Sequence, residues 1–241
     1  MDERIERHAF HAWPAPVTRR VGGWWVRHTP GMRRLRSGNA ALPGDGPAPL
    51  AEVEEFYRER GLPTAVQVSP AARHRALDAQ LEARGYRREV PVHVLTAATG
   101  TVARADPGWA VDVEAETTAR WQEAFVELDG EDDARGVAEE VVAAIRLPAA
   151  RTSVTAGDRV LGIGLVVGGD DRWAGIYCMA TRPEHRGRGV AAAILRAGAR
   201  WAAEHGIPGL YLQVAESNAA ARSLYARAGF DHAYGYHYRL R

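Results

Sequence analysis

The stretch Met179-Ala-Thr-Arg-Pro-Glu-His-Arg-Gly-Arg-Gly-Val-Ala-Ala192 contains the pattern that decides the fold of the second half of the chain. The apolar run at 173–180, which overlaps the start of this stretch, predicts a strand. Pro183 ends that strand because proline has no amide hydrogen to donate. The apolar stripe that begins at Val190 predicts an amphipathic helix, so Gly187-Arg-Gly189 lies directly at a helix N-terminus. Backbone amides at that point, together with Arg186 and Arg188, suit a pyrophosphate, although a Gly-Arg-Gly turn taken alone is more often only the start of a helix.

The composition excludes several other classes of protein. Lysine is absent, and so is the pattern GxGxxG, which excludes a lysine nucleophile, a Walker loop and a dinucleotide fingerprint. The nine histidines show no metal-ligand spacing, so we expect no metal. No run of 18 apolar residues occurs and the N-terminus is acidic, so we expect neither a membrane span nor a secretory signal.

The chain has one cysteine, Cys178, so no intramolecular disulfide can form. A single thiol fits a reducing compartment, and we expect a cytoplasmic protein. Cys178 is either an acyl-accepting nucleophile or a buried small hydrophobe. The second role is favoured because no histidine lies close to it in sequence.

Periodicity around the opening stretch predicts an α/β (α+β) order of elements. The predicted elements are strands at 160–167 and 173–180, a helix at 188–205, a strand at 210–214, a helix that ends before Gly229 and a strand at 230–238. Upstream, apolar stripes on both sides of an acidic turn at 129–133 predict two further helices.

The first half of the chain echoes the second. His205-Gly-Ile-Pro208 and Arg227-Ala-Gly-Phe230 parallel Arg60-Gly-Leu-Pro63 and Ala83-Arg-Gly-Tyr86 at offsets of 144 to 145 residues. The corresponding predicted elements are a helix at 50–60, a strand at 64–68, a helix at 71–84 and a strand at 86–95. Either a half-domain is duplicated, or turn residues recur because helix-to-strand connections favour glycine and proline. The segment 96–108 is expected to be a linker, which divides the chain into domains at 1–107 and 108–241.

Three stretches together carry a family resemblance. Arg186-Gly-Arg-Gly-Val-Ala191 fits the pattern Arg-x-x-Gly-x-Ala, and Leu212-Gln-Val-Ala-Glu-Ser-Asn218 and Leu224-Tyr-Ala-Arg-Ala-Gly-Phe230 follow it. Residues 110–241 thereby resemble the GNAT superfamily of N-acetyltransferases. The first half is similar to a degenerate copy, as in tandem members such as mycothiol synthase and N-acetylglutamate-synthase-like proteins.

The resemblance implies a GNAT fold, with a mixed, bent central sheet flanked by helices and preceded by a partial second copy. It also implies acetyl-CoA as the co-substrate. In the first copy, Pro43-Gly-Asp-Gly-Pro47 places an acid where the pattern has arginines, so we expect that copy not to hold coenzyme A.

The resemblance also assigns roles to individual residues. Tyr225 matches the general acid that protonates the departing thiolate, although its helical spacing alone is equally typical of a core aromatic. A backbone amide of the strand that contains Met179 would donate to the oxyanion. The residues implied to bind the coenzyme are Met179, Ala180, Thr181, Arg186, Gly187, Arg188, Gly189, Val190, Ala191, Ala192 and Asn218.

The general base is left open by the sequence. Relatives that acetylate protein N-termini often have a glutamate on the strand where this chain has Gln213, and an amide is not a useful base. The remaining candidates are Glu216, Glu123, Glu127, Tyr177 and a bound water. A neutral amine needs little more than a water chain, so catalysis does not require a dedicated base.

Charge is unevenly distributed along the chain. Residues 1–107 carry 16 arginines and 12 acids, net +4, whereas residues 108–241 carry 15 arginines and 18 acids, net −3. The acids at 114–140 either attract a cationic amine or form a solvated helix surface. Arginines of the first half are explained by a solvated strand face, so no nucleic acid partner is expected; they are Arg19, Arg20, Arg27, Arg33, Arg34 and Arg36.

These observations favour an acetyl-CoA-dependent N-acetyltransferase in which a primary amine, a small molecule or amino acid, attacks the thioester directly. We expect a monomer or homodimer with no membrane partner. The alternatives are a non-catalytic acyl-CoA-binding sensor, favoured by Gln213, and a protein N-terminal acetyltransferase.

Overall fold

The computed structural model describes residues 3–32, 38–71, 74–104, 108–169 and 172–241. Its α-helices are α1 (Glu3–Ala12), α2 (Leu50–Arg58), α3 (His74–Ala83), α4 (Thr99–Ala103), α5 (Ala119–Asp129), α6 (Ala134–Val137), α7 (Val190–Glu204) and α8 (Ala219–Arg227). Its strands are β1 (Val17–Val21), β2 (Trp24–His28), β3 (Ala65–Val68), β4 (Arg87–Ala98), β5 (Asp112–Glu114), β6 (Ala149–Ala156), β7 (Arg159–Val167), β8 (Trp173–Thr181), β9 (Gly209–Ala215) and β10 (Asp231–Leu240). A π-turn at Ala138–Val142 extends α6, and a 3₁₀ turn at Pro183–His185 follows β8.

Eight strands form one sheet in the order β3-β10-β4-β9-β8-β7-β6-β5. The pair β8 and β9 is parallel, and the other neighbouring strands of this sheet are antiparallel. Helices cover both faces. The prediction of a mixed central sheet flanked by helices is therefore confirmed.

Alternation along β7 divides its side chains between two helical layers. Ile163 and Leu165 pack with Trp121 and Phe125 of α5 on one face. On the other face, Val166 packs with Leu195 of α7, together with residues of β9 and α8. Strand β7 is thus buried on both faces, as its continuous apolar run indicates.

Helix α7 lies so close to β7 that a side chain at Gly198 has no room: a Cβ there would be 2.4 Å from Cγ2 of Val166. Gly198→Ala gains about 1 kcal/mol of helix propensity. Overpacking a core costs about 1–3 kcal/mol, so we expect a net loss of stability in urea unfolding. The matched control is Gly136→Ala in α6, where the nearest atom would be 3.8 Å away and the propensity gain should appear. A Gly198→Ala protein as stable as the parent would contradict this packing.

Strands from the two halves of the chain alternate in the sheet. β4 lies between β9 and β10, and β10 lies between β3 and β4. The repeat elements predicted for the first half are present as α2, β3, α3 and β4, although residues 72–73 of the predicted helix lie outside the described residues. The expected boundary at 107 also falls outside them, so the division into two domains stays a prediction.

The expectation of a linker at 96–108 is wrong for its first part. Residues 96–98 are the end of β4, where Ala98 pairs with Gly209, and α4 follows directly. Val102 of α4 is buried in the same apolar cluster as α7, which anchors the segment. The small residues of this segment are those that a close contact between α4 and α7 requires. A flexible linker has the same composition, so composition alone does not distinguish the two. Residues 105–107 lie outside the described chain.

Candidate active site

A bulge in β8 opens the sheet beside the opening stretch. Ile163 of β7 pairs with Ala180, whereas Leu165 pairs with Tyr177, so β8 contains one extra residue. Cys178, half-buried, lies in this bulge with a φ of 51°, a left-handed value that is uncommon for a residue other than glycine. The sequence analysis assigned Cys178 to the core and missed this backbone role.

The same region of β8 separates from β9. The two strands, both described over their full length, pair only from Trp173 with Gly209 to Ile176 with Leu212. Residues 179–181 of β8 continue beyond that pairing. Over this part the two parallel strands do not pair, so β9 does not bond the backbone of residues 179–181.

A cavity of about 1000 Å³ lies next to this gap. Ten of the twelve residues predicted for the site line it: Met179, Ala180, Thr181, Arg186, Gly187, Gly189, Val190, Ala191, Ala192 and Asn218. Nine further residues line the cavity that were not predicted from the sequence: Leu128, His185, Arg196, Ala220, Ala221, Ser223, Leu224, Arg227 and Ala228. Most of these lie on α8, the helix that begins directly after Asn218.

The loop before α7 requires its two glycines. Gly187 and Gly189 have φ values of 73° and 85°, which residues with a Cβ rarely adopt. Gly189 is the N-cap of α7 and has no side chain to occupy the first free amides of the helix. The 15-residue helix therefore presents those amides and its positive dipole end to the cavity.

The two arginines of the loop differ in position. Arg186 lines the cavity, and its Nε donates a hydrogen bond to the carbonyl oxygen of Thr181 at 3.3 Å. Arg188 is not among the residues that line the cavity, and its carbonyl oxygen accepts a hydrogen bond from Nε1 of Trp109 at 2.9 Å. The structure thus brings one predicted guanidinium, and not the other, to the cavity wall.

The family model described as "Probable histone acetyltransferase Rv0428c C-terminal" matches residues 3–239, nearly the whole chain. The chain belongs to this family. The uncharacterized N-acetyltransferase YobR of Bacillus subtilis is 27% identical over 247 residues, which are 99% of this chain and 98% of that protein.

Solved structures agree on the fold. A GCN5-related N-acetyltransferase from Kribbella flavida has a TM-score of 0.68 at 14% identity and covers 94% of this chain and 89% of its own. A tandem GNAT protein from the clavulanic acid biosynthesis pathway has a TM-score of 0.68 at 16% identity, over 95% of this chain and 84% of its own. With the family match and the relative YobR, this shared fold identifies the protein as an N-acetyltransferase of GNAT type.

Asn218 of this acetyltransferase has two functions available to it. Its Oδ1 accepts a hydrogen bond from the backbone amide of Ala221 at 3.1 Å, which caps α8, and the residue also lines the cavity. Asparagine is among the residues most favoured at a helix N-cap.

Asn218→Asp separates the cap from the ligand contact. Asparagine and aspartate cap helices about equally well, so we expect no loss of thermal stability. A carboxylate in the cavity repels a phosphorylated ligand by about 1 kcal/mol in water, so acetyl-CoA affinity should fall about fivefold in calorimetry. The control is Ser217→Asp, which adds the same charge one residue away at an exposed position outside the cavity lining. Equal effects of the two substitutions would contradict a ligand contact by Asn218.

Tyr225 lies in the apolar cluster between α7, α8 and β9, with its ring centroid 5.9 Å from that of Phe230. It is 7% exposed and is not among the residues that line the cavity. Burial raises the pKa of its hydroxyl to about 12, so the phenol is protonated at neutral pH. The side chain has the proton that a general acid needs, and its role as that acid stays a prediction.

The base candidates of the acetyltransferase differ in their surroundings. Glu127 accepts hydrogen bonds from both terminal nitrogens of Arg182, one at 2.6 Å, and the guanidinium lowers the pKa of the carboxyl. Oε1 of Glu216 lies 3.8 Å from Nε2 of His93. Burial raises the pKa of the Tyr177 hydroxyl. Glu127 is engaged in an ion pair and the Tyr177 phenol keeps its proton at neutral pH, so neither is favoured as the base.

The end of α1 covers the opposite face of β8. The Trp13 ring stacks on Tyr177 with centroids 5.4 Å apart. The hydroxyl oxygens of Tyr177 and Tyr211 are 2.6 Å apart, and Nδ1 of His8 is 2.8 Å from that of Tyr211. No periodicity in the sequence indicates these contacts, because they join residues up to 203 positions apart.

Arg27, expected on a solvated face, is instead 2% exposed, and its Nη2 donates a hydrogen bond to the carbonyl oxygen of Trp13. The sequence expectation is therefore wrong for this residue. The guanidinium also lies over the Phe10 ring, 4.9 Å from its centroid, and this contact stabilises the buried charge. Among the described residues no bond from Arg27 to a carboxylate is seen. Arg33, Arg34 and Arg36 of the same predicted cluster lie outside the described residues.

In the part of the chain that the structure describes, no helix is long and apolar enough to cross a membrane. Within the same residues, no group of three or more His, Cys, Asp or Glu side chains could hold a metal ion.

Proposed function

We propose that the protein transfers the acetyl group of acetyl-CoA to a primary amine of a small molecule or amino acid. The observation that carries the proposal is the cavity at the gap between β8 and β9. Its wall combines β8 backbone, two left-handed glycines, a helix N-terminus and Arg186. The β8 backbone offers hydrogen-bond donors to a thioester at one end of the cavity. The glycines, the helix N-terminus and Arg186 suit a pyrophosphate at the other end.

In the proposed reaction, the amine nitrogen bonds to the thioester carbon while a backbone amide of residues 179–181 donates to the oxygen that becomes negative. The carbon–sulfur bond then breaks, and the hydroxyl of Tyr225 gives its proton to the thiolate. The amine loses its proton to water or to a base. The products are the acetamide and the free thiol.

The preference for a small acceptor rests on α1. Trp13 lies against Tyr177, two residues before Met179, and α1 packs along β8. We expect an acceptor to approach β8 on this side, beside α1 and Trp13. A bulky protein chain has less room there than a small amine.

We propose further that the first half is a degenerate GNAT copy. The strand order β3-β10-β4-β9 supports this. The last strand of the first half, β4, lies between β9 and β10, and the last strand of the second half, β10, lies between β3 and β4. Such reciprocal exchange is what two related units sharing one sheet would show.

A lysine side chain of a protein is the second candidate acceptor. The description of the matched family names a histone acetyltransferase, which favours it. A third possibility, a sensor that binds acetyl-CoA without turnover, follows from Gln213 at the position of the usual glutamate.

One experiment distinguishes the three. The protein is incubated with acetyl-CoA and, separately, a panel of small amines and amino acids, basic peptides and histone proteins, while free thiol and product masses are measured. Acetylated small amines formed well above the rate of thioester hydrolysis would support the proposal. Products confined to the peptides and proteins would transfer the assignment to a protein acetyltransferase, and tight acetyl-CoA binding without any product would indicate a sensor.

A further inference from the structure

Met179 lines the acetyl-transfer cavity and belongs to residues 179–181, whose backbone donates to the thioester oxygen in the proposed reaction. We propose that the Met179 side chain determines the length of the acyl group, because it occupies the space that a chain longer than acetyl would need. The inference rests on the proposed function, which places acetyl-CoA in this cavity. Its support comes from the direction of the side chain, from the groups that it packs on and from the small residues beside it.

The bulge at Cys178 directs Met179 to the α7 face of the sheet. Cys178 and Ala180 pack with the apolar cluster that contains α5, whereas Met179 packs with the two clusters that contain α7. Residues of α7 and α8 line the cavity on this same face. An amide and the oxygen that it binds are about 3 Å apart, so an acyl group held by the β8 backbone begins beside the Met179 side chain.

The Met179 side chain lies across Gly164 of β7. A Cβ on Gly164 would be 2.9 Å from Sδ of Met179 and 2.9 Å from Oγ1 of Thr152. It would also be 2.5 Å from Cγ2 of Ile194 on α7. A glycine inside a strand is typical of a place where another group approaches closely. Here the glycine leaves room over β7 and the thioether occupies it, which suits methionine because its unbranched chain adapts to irregular gaps.

Removal of the thioether would enlarge the cavity, because Met179 already lines it. Met179→Ala removes a methylene, a sulfur and a methyl, which together exceed the pair of methylenes by which butyryl is longer than acetyl. Gly164 and Ile194 would form the floor of the enlarged pocket. The other apolar side chains that line the cavity where β8 meets α7 are shorter; they belong to Ala180, Val190, Ala191 and Ala192. Met179 is therefore the residue at this end whose truncation changes the available space most.

The test measures the affinity of the full chain for acetyl-CoA and for butyryl-CoA by calorimetry, without an acceptor amine. We expect the parent to bind butyryl-CoA at least about tenfold more weakly, because a methylene that a pocket does not accommodate costs about tenfold or more in discrimination. Met179→Ala should bring the two affinities within about twofold of each other. The readout is the ratio of the two affinities, so a general loss of coenzyme binding does not imitate the result.

Met32→Ala is the matched control. It removes the same atoms from a buried position in the cluster that contains α5, and should keep the ratio of the parent. Met179→Leu nearly conserves the volume of the side chain and should keep the ratio as well. Met179→Val shortens the side chain and should raise the relative affinity for butyryl-CoA about threefold or more, which keeps the test valid if Met179→Ala does not fold. Thermal unfolding verifies each variant.

Two kinds of negative result are distinguishable in this experiment. Equal affinities of the parent for the two thioesters would overturn the inference alone. The same holds if the parent and the folded Met179→Ala and Met179→Val proteins share one ratio. A parent that does not bind acetyl-CoA would overturn the proposed function, and the inference with it.

Discussion

Tyr225→Phe is expected to lower kcat by about 100-fold or more while the affinity for acetyl-CoA stays within about twofold of the parent. The substitution removes the one proton that the side chain can give to the departing thiolate. Because burial raises the pKa of the hydroxyl to about 12, the group is protonated throughout the usual assay range. Its loss should therefore affect turnover equally at pH 7 and pH 9.

The same substitution tests whether Tyr225 is only a core residue. The side chain packs on Phe230, and among the described residues no hydrogen bond of its hydroxyl is seen, so phenylalanine should preserve the packing and the melting temperature. The control is Tyr86→Phe, a buried tyrosine of the first half whose hydroxyl donates to Glu54 at 2.7 Å, far from the cavity. Turnover is followed as free thiol, and coenzyme affinity by calorimetry. Normal turnover by the Tyr225→Phe protein would assign the residue to the core alone.

Arg186→Ala is expected to weaken acetyl-CoA binding about 10- to 100-fold, whereas Arg188→Ala should change it less than threefold. A hydrogen bond to a charged group contributes about 1.5–3 kcal/mol, and each 1.4 kcal/mol is tenfold in affinity. Arg186 lines the cavity and is held by the carbonyl oxygen of Thr181, while Arg188 is absent from the cavity wall. The two variants have the same composition and net charge, so they are matched controls for each other.

Salt provides a second readout for this pair. A contact between a guanidinium and a phosphate weakens as ionic strength rises, because the Debye length falls from about 10 Å at 0.1 M to 3 Å at 1 M. The parent and Arg188→Ala proteins should therefore lose affinity with added salt more steeply than Arg186→Ala. Equal losses of affinity and equal salt slopes in both variants would show that the loop acts only through its net charge.

Sequence reasoning was most successful where the determinants are local. The end of β8 at Thr181, the glycines before α7 and the order of elements from 159 to 240 depend on residues within a few positions of each other. Proline geometry, left-handed glycines and helix periodicity act over that range. Ten of the twelve predicted site residues consequently line one cavity.

The remaining features required the three-dimensional structure. That Arg186 lines the cavity and Arg188 does not depends on how the loop backbone turns, which the alternating Gly-Arg pattern does not encode. The bulge at Cys178 depends on which β7 residue faces it, and β-pairing register is a property of two strands.

The sequence alone was enough to predict the mixed α/β order of the second half, the glycine turn before α7 and the resemblance to the acetyltransferase superfamily. The three-dimensional structure was needed to show that β4 lies between β9 and β10 and that Trp13 covers Tyr177. The physical reason is the range of the interactions. Turn and helix preferences are encoded by neighbouring residues, whereas strand insertion and helix docking depend on burial between segments that are up to about two hundred residues apart.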